Sequence, residues 1–103
     1  MSEDESKTIT VFVKDLSFKS DQHVVDLIRF LAEALPQINL DRDGNELKVS
    51  LPLNLSRRAV KLRIKKFLYK KGLNKDFRPI SYKSNDKEGY SIKEKKLIDL
   101  SYY

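Results

Sequence analysis

The chain has 103 residues, a net charge of +6, one histidine and no cysteine. That length suits a single domain with one core, while the missing cysteines exclude a disulfide framework and a thiolate metal site. The lone histidine, His23, leaves little for zinc binding or proton shuttling.

Residues 1–7, MSEDESK, are polar and charged and read as a flexible acidic tail. A signal peptide would begin basic and turn apolar, and no apolar run reaches the roughly 20 residues of a membrane span. The expectation is a soluble, unprocessed, cytoplasmic protein, monomeric when free and without a membrane partner. From Thr8 the run TITVFVKDLSF alternates Ile9, Val11 and Val13 against Thr8, Thr10 and Phe12, the pattern of a first strand. Ser20 or Asp21 is placed to cap a helix in which Val24, Leu27, Ile28, Leu31 and Leu35 recur at three- and four-residue steps, and Pro36 ends it. Ile38 and Leu40, then Leu47, Val49 and Leu51, alternate on either side of Asp43-Gly44 and predict a hairpin.

Pro52 and Asn54 break the second strand of that hairpin, and Ser56 caps a basic helix that Gly72 closes, with Leu73 folding back as a hydrophobic partner. Phe77, Ile80 and Tyr82 predict a strand whose Pro79 favours a sheet edge. A turn within 84–89 leads to a last strand at Tyr90 and Ile92, followed by the apolar KLIDLSYY. The order β-α-β-β-α-β-β implies an α+β domain with two helices on one face of a mostly antiparallel sheet. Residues 8–93 form this single domain, between the acidic tail and an apolar C-terminal tail at 94–103.

The helix Ser56 to Gly72 is the centre of the functional reading. It holds eight Lys or Arg and no acid, and from Leu47 to Lys75 there are ten bases and no acid. On a wheel at 100° per residue, Val60, Ile64, Phe67 and Leu68 fall within about 20° to 120°, a stripe to bury. Arg58, Lys61 and Lys65 lie at about 140° to 200° and Arg63, Lys66 and Lys70 at about 280° to 340°, two basic rows with Leu62 and Tyr69 between them. Solvated helices usually mix signs at four-residue spacing, whereas Lys61–Lys65 and Lys66–Lys70 are like pairs that an anion would relieve. Nothing in the helix is a base-reading code, so recognition by shape and backbone is expected, as for double-stranded RNA.

Other chemistry finds no support in spacing. Asp41, Asp43 and Asn45 alternate as in a calcium loop, but the glycine stands fourth instead of sixth and Pro52 occupies the place of the twelfth-position glutamate. The three glycines are dispersed and no serine sits in a nucleophile motif. An enzyme is not expected, nor any cofactor or metal.

The run SRRAVKLRIKKFLYKKGLNKDFRPI resembles the eukaryotic-type ribosomal protein twenty-two of the large subunit, a family unrelated to the bacterial protein of that number. The resemblance is carried by Ser56, Arg57, Arg58, Lys61, Lys65, Lys66, Phe67, Leu68, Leu73 and Arg78, and by Glu88 and Tyr90 in NDKEGYSI. Residues 55–92 carry its specific part. The acidic start, the short hairpin loop, Tyr69, Gly72 and the apolar end depart from the family, and a compact, archaeal-type member would account for them. The resemblance implies an α/β sandwich that binds ribosomal RNA through Arg57, Arg58, Lys61, Lys65, Lys66 and Lys70. With Arg63, Lys71, Lys75, Arg78 and Lys83 as assisting residues, and with Tyr69 either stacking on RNA or packing against the chain's own C-terminal tail, the expected role is a structural constituent of the large ribosomal subunit, with neighbouring ribosomal proteins as further partners. The alternatives are a free-standing RNA- or DNA-binding architectural protein, or an interaction module in which KLIDLSYY adds a strand to a partner's sheet.

Overall fold

A computed structural model describes residues 6–95, and the expected acidic tail at MSEDE and the apolar KLIDLSYY lie outside them. Strand β1 (Ser6–Phe12) begins two residues before the expected Thr8, because Ser6 and Lys7 pair with Pro52 and Leu51. It also stops earlier than the run TITVFVKDLSF suggested. Lys14–Lys19 forms a short helix, α1, which buries Leu16 and uses Asp15 Oδ2 to accept the Glu94 backbone N–H at 3.0 Å. The alternation of β1 therefore ends at Val13, and the next apolar contact comes three residues on, at helical spacing.

Helix α2 (Asp21–Ala34) buries Val24, Leu27 and Leu31. Ser20 occupies its N-cap position without a side-chain hydrogen bond. Asp21 does not cap the helix either: its Oδ1 accepts from Ser17 Oγ at 2.9 Å and from Arg42 at 2.6 Å. β2 (Asn39–Asp43) and β3 (Glu46–Pro52) form the expected hairpin around the two-residue turn Gly44-Asn45. Gly44 has φ +63° and Asn45 has no positive φ, the type II′ pattern whose twist suits a hairpin. Helix α3 (Arg57–Lys70), edge strand β4 (Phe77–Lys83) and β5 (Glu88–Glu94) complete the chain.

The five strands lie in the order β2-β3-β1-β5-β4. Three pairings are antiparallel, but β1 and β5 are parallel, with Val11 beside Tyr90. The sheet is mostly antiparallel, as expected, but the parallel β1–β5 pair makes it mixed, and α1 is a third helix where two were expected. Alternation reveals which face a strand buries, and carries no information on which strand lies beside it. Since β1 and β5 are parallel and each pairs antiparallel with a flanking strand, β3 and β4 run the same way. Helix α3 is the crossover between them.

The register puts Ile9, Val11, Leu47, Val49, Leu51, Phe77, Pro79, Tyr90 and Ile92 on one face, and all three helices feed the same buried cluster. Phe30 of α2 meets Phe67 of α3 with ring centroids 5.6 Å apart. Pro79 sits on the outermost strand, where a missing N–H breaks no second ladder. Among the described residues, no helix is long and apolar enough to cross a membrane.

Candidate nucleic-acid interface

Helix α3 is fixed at both ends by local chemistry. Ser56 Oγ accepts the Arg58 backbone N–H at 2.9 Å, the N-cap bond. At the far end the Leu73 N–H donates to the Leu68 carbonyl at 2.7 Å and the Gly72 N–H to the Tyr69 carbonyl at 3.1 Å, while Gly72 takes φ +74°. This is a Schellman closure, and Leu73 is buried beneath it. Val60, Ile64, Phe67 and Leu68 are all buried, as the wheel requires, whereas Leu62 is 51% and Tyr69 74% exposed.

With its dry stripe held by the sheet and α2, the helix presents its cations in two directions. Toward the β4–β5 hairpin, Lys61 Nζ lies 5.9 Å from the Tyr90 ring centroid. Arg58 and Lys65 belong to that row. Toward α2, Lys70 Nζ lies 5.9 Å from the Phe30 ring and Lys71 Nζ 3.3 Å from Asp26 Oδ2. Arg63 is half-buried, and Lys66 is exposed beside Tyr69. Arg57 pairs with Glu88 at 2.7 Å. Among the described residues, Arg57 and Lys71 are the members of the helix's basic set that meet an acid.

Two clefts flank α3. The first, about 610 Å³, lies where the start of the helix meets β1 and the β4–β5 hairpin, and gathers Arg57, Arg58, Lys83 and Lys7. The second, about 470 Å³, lies between the last turns of α3 and the β4 edge, and gathers Lys65, Lys66, Tyr69 and Arg78. No protein-family model matches the chain, and no curated protein matches it. The geometry of these clefts therefore has to carry the functional reading.

Nine cations lie along the α3–β4 side: Lys7 of β1, Arg57, Arg58, Lys61, Lys65 and Lys66 of α3, Arg78 and Lys83 of β4, and Lys95 just after β5. Lys75 is exposed in the turn at 74–76, between helix and strand. Two of these residues escape a reading by composition. Lys7 belongs by composition to the polar start of the chain, yet it pairs with Leu51, two residues before Ile9, and so shares that residue's face of β1. Lys95 follows the last strand, where its N–H donates to the Asp76 carbonyl and its Nζ to the Asn74 carbonyl at 2.8 Å. Among the described residues, no cluster of three or more His, Asp or Glu is placed to hold a metal ion.

Proposed function

We propose that the protein is a structural RNA-binding component of the large ribosomal subunit, related to the eukaryotic-type ribosomal protein twenty-two, with α3 as its principal rRNA contact. The observation that carries this reading is the helix itself. Its apolar stripe of Val60, Ile64, Phe67 and Leu68 is buried, its cations face outward in two rows, and the clefts beside its two ends are rimmed by further cations from β1 and β4. Phosphates on an A-form backbone suit such a surface, since lysine and arginine neutralise them without reading bases.

A bland role in solubility fits less well. A solvated helix gains from acid–base pairs at four-residue spacing, and Lys61–Lys65 and Lys66–Lys70 oppose the helix instead. Such repulsion is tolerable where an anion relieves it. Sedimenting a lysate of the source cell is expected to place the protein with large subunits and hold it there through moderate salt. Recovery wholly in the free fraction overturns the ribosomal assignment.

A further inference from the structure

The second cleft has a composition that phosphate binding alone does not require. Its floor is apolar, formed by Leu68, Phe77 and Pro79, all buried. Tyr69 forms one wall with 74% of its surface exposed. The rim is cationic, with Lys65, Lys66, Arg78 and Lys95, and among the described residues no acid lines it. Asn74 adds a side-chain amide that both donates and accepts, while its backbone carbonyl accepts from Lys95 Nζ at 2.8 Å.

We infer that this cleft receives a single unstacked RNA base, with Tyr69 as the stacking wall and Lys65, Lys66 and Arg78 on the flanking phosphates. The inference deepens the reading of α3 as an RNA surface and rests on it. An exposed aromatic residue standing alone is ordinary. Tyr69 differs because it borders a cleft of about 470 Å³ whose floor is apolar and whose charged residues, among those described, are all cations. A protein ligand of matching charge would find no cation-free apolar margin here, whereas a nucleotide offers a flat π-face and an anion together. Duplex RNA keeps its bases stacked within, so the site selects a bulge, a loop or a strand end.

The test uses the full-length protein and three labelled RNAs: a short duplex, the same duplex with one bulged uridine, and that duplex with an abasic bulge. Anisotropy titrations are expected to show the uridine bulge bound roughly tenfold more tightly than the other two, as stacking on one aromatic ring allows. Tyr69→Ala is expected to erase that preference, and Tyr69→Phe to retain it. A bulged 4-thiouridine should crosslink to the peptide containing Tyr69. Equal binding of all three RNAs by the wild type overturns the base cleft while the backbone-binding reading stands. A crosslink confined to other peptides does the same, as does a Tyr69→Ala variant whose thermal stability falls while its RNA preference persists, which assigns the cleft to cover by protein. Failure of every RNA to bind at low salt defeats the underlying reading instead.

Discussion

Single residues in this protein are constrained most tightly where two backbones meet. Gly89 on β5 lies beside Thr10 of β1 and opposite Tyr82 of β4. It takes φ +152°, and a Cβ there would stand 2.0 Å from the Thr10 carbonyl oxygen, a backbone atom held by the sheet. The parallel β1–β5 pairing at the centre of the sheet therefore depends on a missing side chain. Gly44 also has positive φ, yet nothing lies within 4 Å of its would-be Cβ. The two positions separate strain from collision. Gly44→Ala is expected to cost about 1 kcal/mol for the left-handed conformation alone. Gly89→Ala adds displacement of a central strand and is expected to cost at least ~2 kcal/mol more. Urea unfolding of both variants checks this, and equal losses would mean that the sheet accommodates the added carbon.

At the scale of elements, two ion pairs tie α2 to its neighbours. Arg42 of β2 reaches Asp21 at 2.6 Å, and Lys71 at the end of α3 reaches Asp26 at 3.3 Å. The Arg42 hydrogen bond, then that from Ser17, holds the Asp21 carboxyl below its ordinary value of 3.8. The Asp26 carboxyl is lowered by its bond from Gln22, then by that from Lys71. A carboxyl lowered on folding stabilises the native state above its unfolded pKa, and that contribution fades as pH falls through the folded value. Stability is therefore expected to be flat with respect to these groups from about pH 5 to about pH 9 and to decline below about pH 4. Asp26→Asn should make the decline shallower, as followed by denaturant midpoints across pH; an unaltered acid slope would place its origin elsewhere. The same scale shows what could be read from sequence. Caps, stripe and closure of α3 were legible because each is decided within a few neighbouring residues, as Ser56, Phe67 and Gly72 show. Helix α1 was not, because Lys14–Lys19 owes its place partly to the Asp15 bond with Glu94, a partner 79 residues away. The parallel β1–β5 pairing was hidden for the same reason. The cations of α3 were visible in order, while the apolar floor of the second cleft needed Phe77 and Pro79 brought beside Leu68.

Across the whole molecule, the uneven charge of the chain becomes an uneven charge in space. Sheet order places β2, with Asp41 and Asp43, at one edge, and β4, with Arg78 and Lys83, at the other. Asp21 and Asp26 lie on α2, and the cations of α3 extend the basic edge. A polyanion is thus steered to the α3–β4 side before any contact forms. Binding there releases condensed counterions, and six outward cations engaging phosphates would give a log–log salt slope near −5 on duplex RNA. Changing Lys61, Lys65 and Lys66 together to Glu is expected to abolish binding at moderate salt and to flatten any residual slope by about three units. Circular dichroism should show an intact fold, because none of the three is among the fully buried residues. Replacing Asp41 and Asp43 with Asn raises the net charge by about two at the far edge. If the field acts locally through α3, that variant keeps the wild-type slope and alters affinity by less than about twofold, since screening confines surface charges to about 10 Å at ordinary salt. A slope that tracks net charge regardless of which edge is altered would mean that RNA meets the protein without a defined face, and would displace α3 as the interface.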